Sequence, residues 1–282
     1  MNKFKCSLLL LVLILATVAT MPAMSQEYPC APGVSLSPVA TAAYVDDVTA
    51  DVASITAYWE ATYPIVYGGE FPGLCATVEY TVPDIPFGET CGLTPDNASM
   101  NAFYCIPAEA VMWDGPDFFH PIYEIYGDKA ITYIIAHEYG HATQFLSGSY
   151  PPGPRTVNIE IQADCLAGAY LQYEINNGLM STDEALEVIV IAAQFGQSRF
   201  GTSWINRSHG TSAQRLAALN TGFEEGASVC LNYEPNPEEA LDNFQEQVEQ
   251  LDIDEDQIEE VQTEIQERLG ERATQAPRRP NR

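Results

Sequence analysis

His137-Glu138-Tyr139-Gly140-His141 is the stretch of this sequence with the most direct chemistry. Two histidines four residues apart share one face of a helix and can each offer a ring nitrogen to the same divalent ion. Zinc suits the pair, because imidazole is one of its common donors. Glu138 would lie beside such an ion without ligating it. From there it can take the proton of an ion-activated water and later hand it to a leaving amine. Only four histidines occur in 282 residues, and two of them fall here. An isolated H-E-x-x-H also arises by chance, so a third ligand has to come from elsewhere in the chain.

Catalytic zinc takes three protein ligands and leaves a position for water. Glu160 follows His141 by 19 residues, after the break Ser147-Gly148-Ser149-Tyr150-Pro151-Pro152-Gly153-Pro154, at the start of another helical stretch. Asp164 comes one turn later on the same face. If the second helix runs back antiparallel, Glu160 reaches the metal and completes a His137, His141, Glu160 set. Asp164 can then accept the free N–H of one ligating histidine. Taken alone, each carboxylate would read as a solvated helix-start charge; the pairing with the upstream helix favours metal. His209, in Ser208-His209-Gly210-Thr211, has two open readings: a hydrogen-bond donor to a tetrahedral oxyanion, or a loop or cap histidine. Tyr139 and Tyr150 are weaker candidates for the same task. Arg215 reads as the ion-pair partner of a buried carboxylate, and His120 as structural.

Several elements must position these groups. Val45, Val48, Val52, Ile55 and Trp59 recur at steps of three and four, which predicts a helix over 41–62. From Tyr63 to Cys105, Pro and Gly punctuate short runs such as Thr77-Val78-Glu79-Tyr80-Thr81-Val82, the pattern of strands and turns. Phe103 to Ile106 and Ala110 to Trp113 form a candidate strand pair closed by Pro107-Ala108-Glu109. A helix is expected over 118–126, ending near Gly127. Asp128 is the expected cap of the next one, which carries Ile131, Ile134, Ile135, Tyr139 and Phe145. Further helices are expected over 157–176, from Ser181 with capping-box spacing, and over 211–222. Beyond Asn232, apolar residues return at helical steps in an acidic, Gln-rich background, an amphipathic segment able to dock a partner or a second copy.

The amino-terminal stretch has a different character. Lys3 and Lys5, the aliphatic run Leu8 to Ala16, and Ala23 and Ser25 before Gln26 make up a secretory signal peptide, too short in its apolar part for a membrane span of about 20 residues. Export predicts a secreted or periplasmic location, with no stable membrane anchor after cleavage. Six cysteines remain outside this segment, and in an oxidising compartment they imply disulfides, with 15 pairings open. Sequence order suggests Cys91–Cys105 as a local pair, with Cys165–Cys230 and Cys30–Cys75 completing the set. A net charge of −27 opposes nucleic acid or an anionic membrane as partner. The expected division is 1–25 signal peptide, 26–231 catalytic domain and 232–282 acidic tail.

Ile134 to Gln144 around H-E-x-x-H, Glu160-Ile161-Gln162-Ala163-Asp164-Cys165-Leu166-Ala167-Gly168, His209-Gly210-Thr211 with Gln214-Arg215, and Gly222 to Gly226 with Cys230 resemble blocks of the bacterial neutral zinc metallopeptidase family. Cys91-Gly92 and Ala102 to Cys105 ahead of Asp114 resemble its upstream blocks, so the likeness spans about Trp59 to Cys230. It implies His137, His141 and Glu160 as zinc ligands and Glu138 as base, in a gluzincin-like core acting on peptide or protein substrates. Ala142 stands where the family often has a histidine or a bulky residue, and the acidic tail lies outside the likeness. The expected fold is α+β: a mostly helical zinc core preceded by a small turn-rich β region, with a carboxyl-terminal amphipathic tail. The expected activity is zinc-assisted peptide hydrolysis. A zinc hydrolase of cell-wall amides and a non-catalytic zinc-stabilised binding module are the alternatives.

Overall fold

The computed structural model describes residues 34–37, 40–149, 156–181, 184–185, 188–189, 191–192 and 210–233. The expected signal segment, Tyr150, His209 and the tail beyond Tyr233 lie outside the described residues. The architecture is α+β and mainly helical, with one four-stranded sheet ahead of the site helices. Among the described residues, no helix is long and apolar enough to cross a membrane.

Helix α1 (Ala42–Val66) starts where Thr41 accepts the Tyr44 amide on its side chain. It buries Val48, Val52, Ile55 and Trp59 of the period that predicts it, leaves Val45 half-buried, and adds Tyr44 and Tyr63. The helix runs past Thr62 and takes Pro64 into its last turn. Proline there removes one amide donor. The acceptor it leaves, the Glu60 carbonyl, belongs to an exposed residue. The rings of Tyr63, Tyr67 and Phe71, with centroids 4.8 and 5.5 Å apart, carry the packing onward.

The sheet has the order β1-β2-β4-β3, with β1 (Val34–Ser35), β2 (Ala76–Tyr80), β3 (Ala102–Cys105) and β4 (Ala110–Asp114). β3 and β4 form the expected antiparallel pair, Cys105 opposite Ala110, joined by a 3-10 turn over Ile106–Ala108. β4 also pairs in parallel with β2, which leaves β3 at the edge. Side chains alternate across a strand. Val111 and Trp113 therefore join the main core, while Ala110 and Met112 join a smaller cluster on the opposite face. The short helix α2 (Pro95–Ala98) and the Cys91–Cys105 disulfide close that second face.

Glu79 pins the sheet to the helices. Its buried carboxylate accepts the Ser37 amide at 3.1 Å, the Tyr44 hydroxyl at 2.6 Å, the Trp113 indole N–H at 3.1 Å and His120 Nε2–H at 3.2 Å. Burial works against this charge, but the donors outweigh it and hold the carboxyl below its ordinary pKa. A Cβ on Gly115 would lie 2.3 Å from the carboxyl carbon, so only glycine fits beside it.

A π turn over Gly115–Phe119 leads into α3 (His120–Tyr126). Helix α4 (Asp128–Ser147) follows. Asp128 is not its cap, as expected from the pattern, but its first residue: Gly127 precedes it with φ 88° and no side chain caps the end. An acidic residue in the first turn still complements the helix dipole. Helix α5 (Thr156–Asn176) returns beside α4, and α6 (Ser212–Glu225) begins with a Thr211/Gln214 capping box. Ser181 and Glu184 form the expected reciprocal cap, with the Ser181 amide 2.6 Å from the Glu184 carboxylate.

Helices α5 and α6 pack backbone to backbone. A Cβ on Gly168 would lie 1.9 Å from the Leu219 carbonyl oxygen, and one on Gly222 1.7 Å from that of Cys165. The Cys165–Cys230 disulfide fastens the same contact. Cys75 is also disulfide-bonded, while the expected Cys30 partner lies outside the described residues.

Candidate metal centre

The centre is built where α4 and α5 come closest. Gly140 allows the approach: a Cβ there would lie 3.1 Å from both Cα and O of Ala163. Ala163 sits between Glu160 and Asp164, so the tight crossing brings both carboxylates to the H-E-x-x-H face. Glu160 Oε2 lies 3.2 Å from His137 Nε2 and 3.4 Å from His141 Nε2. Among the described residues these three form the one cluster of metal-ligating side chains, with donor atoms within 4.8 Å of one another. Tetrahedral donors about 2.0–2.1 Å from a zinc ion stand roughly 3.3 Å apart. The donor types and their spacing therefore fit that ion.

Each histidine is held from behind. His137 Nδ1 lies 2.8 Å from Asp164 Oδ1. Asp164, fully buried, also accepts the Tyr133 hydroxyl at 2.7 Å and two Arg215 N–H groups, Nε on Oδ2 and Nη2 on Oδ1, both at 2.7 Å. His141 Nδ1 lies 2.9 Å from Gln144 Oε1. Both Nε2 atoms thus point toward Glu160 while both Nδ1 atoms are occupied.

Electrostatics follow the same layout. Burial opposes ionisation of Asp164, but Arg215 and His137 outweigh it and draw the pKa down to about 2. Burial likewise opposes a charged His137, yet Asp164 and Glu160 push its pKa up to about 10. His141 is raised as well, Glu160 prevailing over burial. Protons held this way would leave when a cation takes the site.

Glu138 is buried, and among the described residues its Oε2 has no hydrogen-bond partner. A buried carboxylate oxygen left unpaired needs a reason; a water held at the neighbouring centre would supply the missing donor. Tyr139, by contrast, turns into the core, its hydroxyl 3.1 Å from Thr56 on α1. His209 and Tyr150 are outside the described residues. Arg215 has the buried carboxylate partner its sequence context suggests, and that partner is Asp164. Sequence reading overlooked Gln144, Gln162 and Tyr133. The first was within reach, since a residue three beyond His141 shares its helix face.

A family profile described as "putative neutral zinc metallopeptidase" matches residues 154–232. That span holds Glu160, Asp164, Arg215 and both halves of the Cys165–Cys230 bridge. Uncharacterized protein YpfJ of Escherichia coli (strain K12) is 28% identical over 205 residues, covering 64% of this chain and 71% of its own. Uncharacterized protein Rv2575 of Mycobacterium tuberculosis (strain H37Rv) is 27% identical over 172 residues, 51% of this chain and 58% of its own. No solved structure gives a significant match. The likeness to the zinc metallopeptidase family read from the sequence blocks is found again in these matches.

Proposed function

We propose that this protein is an exported zinc-dependent metallopeptidase that hydrolyses peptide bonds with Glu138 as general base. The observation that carries the reading is the unpaired, buried Glu138 Oε2 next to a three-donor cluster. A purely structural metal site has no use for a non-ligating buried carboxylate. His137, His141 and Glu160 would hold the ion, which when bound supplies Lewis-acid polarisation of the scissile carbonyl and acidifies water. Glu138 accepts the proton of the attacking water on Oε2 and returns it to the departing amine nitrogen. Asp164 and Gln144 keep the imidazoles aimed through that exchange. His209, outside the described residues, is the candidate donor to the tetrahedral oxyanion, with a loop or cap role as its other reading.

Edge strand β3 lies against the site helix, with the Tyr104 and Phe145 rings 6.2 Å apart. An extended peptide can add to such an edge through main-chain hydrogen bonds, which would lay it along α4. The disulfides fit an oxidising compartment, in line with export by the leading segment. The test pairs elemental analysis with proteolysis of an unfolded protein substrate. Glu138→Gln is expected to retain stoichiometric zinc and to lose cleavage by at least about 100-fold. Retained cleavage in that variant would sink the assignment of the base, and a wild type without zinc would sink the whole reading.

A further inference from the structure

We propose that Gln144 and Gln162 are positioning residues for zinc, an amide relay that fixes His141 in its Nδ1–H tautomer and ties it to the Cys165–Cys230 disulfide. The inference rests on the reading of His137, His141 and Glu160 as zinc ligands. A backbone carbonyl oxygen can only accept a hydrogen bond. Gln144 Nε2 lies 2.8 Å from the carbonyl oxygen of Ile159, so that atom is the amide's donor nitrogen, and Oε1 faces His141. An amide oxygen only accepts, so His141 Nδ1 carries a proton and, in the neutral ring that a metal requires, the lone pair is left on Nε2, the atom that faces Glu160.

The relay continues by the same rule. Gln144 Nε2 also donates to Gln162 Oε1 at 2.9 Å. Gln162 Nε2 donates to the Cys230 carbonyl oxygen at 2.9 Å, with that of Leu231 further off at 3.4 Å. Cys230 is bonded to Cys165, three residues beyond Gln162 on α5. A continuous chain results: the disulfide holds the carbonyl that orients Gln162, which orients Gln144, which orients His141. Both glutamines are buried, at 0% and 2% exposure, so water does not substitute for a lost link. Removal of a group that orients a metal-bound histidine typically costs 10–100-fold in metal affinity. Opening the disulfide frees the Cys230 carbonyl and transmits part of that loss to the metal.

Zinc affinity, measured by competition with a chromophoric chelator, tests the relay, with the cobalt-substituted absorption spectrum as a second readout. Thermal unfolding in excess chelator reports whether each metal-free variant folds. Gln144→Met, of similar volume, is expected to bind zinc about 10–100-fold more weakly and to alter the cobalt spectrum while still folding. Thr143→Val removes another buried bond of the same turn, to the Gly140 carbonyl, and is expected to leave affinity unchanged. Gln162→Met and the double variant Cys165→Ala/Cys230→Ala are each expected to weaken zinc, and their combination to weaken it by less than the product of the two. Wild-type affinity in Gln144→Met, an equal loss in Thr143→Val, or fully multiplicative losses in the combined variant would overturn the relay. A wild type that binds no zinc would overturn the ligand assignment together with it.

Discussion

Replacing Arg215 by methionine tests the support behind His137 most sharply. The substitution keeps the apolar stem and removes the guanidinium, whose Nε and Nη2 each sit 2.7 Å from an Asp164 oxygen. Asp164 would retain the Tyr133 hydroxyl and His137 Nδ1–H, two donors around a carboxylate that no water reaches. Breaking a buried pair on one side costs about 3–5 kcal/mol, because the remaining charge is stranded. For a chain of this size that lowers the melting temperature by roughly 6–20 °C. Asp164→Leu strands the guanidinium instead and is expected to cost a similar amount. The double variant strands neither charge, so its loss should stay near that of one single variant rather than their sum. Denaturant unfolding of all four proteins with chelator present measures the cycle without contribution from bound metal. The pH dependence supplies a further check. Asp164 has a folded pKa of about 2 against an ordinary 3.8. The stabilisation linked to its ionisation is therefore full above about pH 4 and lost as pH falls through 2, so the gap between wild type and Asp164→Leu must narrow in that window. Additivity within about 0.5 kcal/mol in the double variant would refute the buried-pair reasoning.

Two other expectations concern the scaffold. Asp51 is pushed up to about 7 by burial, which outweighs Lys129 and Thr132, so its contribution to stability is full below 3.8 and lost as pH rises through 7; Asp51→Asn should flatten that part of the stability profile, and an unchanged slope in urea melts would count against it. Gly222→Ala places a methyl 1.7 Å from the Cys165 carbonyl oxygen, a clash with backbone that rotamers cannot relieve, and is expected to cost upwards of about 3 kcal/mol; a variant of wild-type stability would mean α5 and α6 can part without penalty.

Much of the site could be read from local spacing. His137 and His141 share a face because helices repeat every 3.6 residues, and Glu160 with Asp164 needed only one antiparallel return. Arg215 could be assigned to a buried carboxylate but not to Asp164, because nothing in the chain between them fixes how α6 crosses α5. That crossing is set by Gly168 and Gly222, whose meaning appears only when the two backbones meet. The β3–β4 hairpin was local and readable; the parallel β2–β4 pairing was not, since Glu79 on β2 gathers donors from three elements and the Ser37 loop, all distant in sequence. Helix α1 passes its expected end for a related reason: contacts of Tyr63 and Tyr67 outweigh the local signal of Pro64.

The two histidines are supported in chemically different ways, and the difference bears on charge. His137 leans on a carboxylate, His141 on a neutral amide. Arg215 cancels the charge of Asp164 at 2.7 Å, so neither support adds net charge behind the imidazoles. The negative charge at the centre is then left to Glu160 and Glu138, one touching both histidines and one unpaired. A carboxylate in place of Gln144 would put a third negative group in the same buried space, beside a centre that already holds two. It would also face the Ile159 carbonyl and Gln162 Oε1 without the two donor hydrogens that now satisfy them. Gln144→Glu should therefore disturb the centre even though it preserves an acceptor for His141 Nδ1–H, and the disturbance should ease as pH is lowered and the new carboxyl gains a proton. Measured as zinc affinity against pH relative to wild type, a constant ratio would show that the amide's neutrality is immaterial to the site.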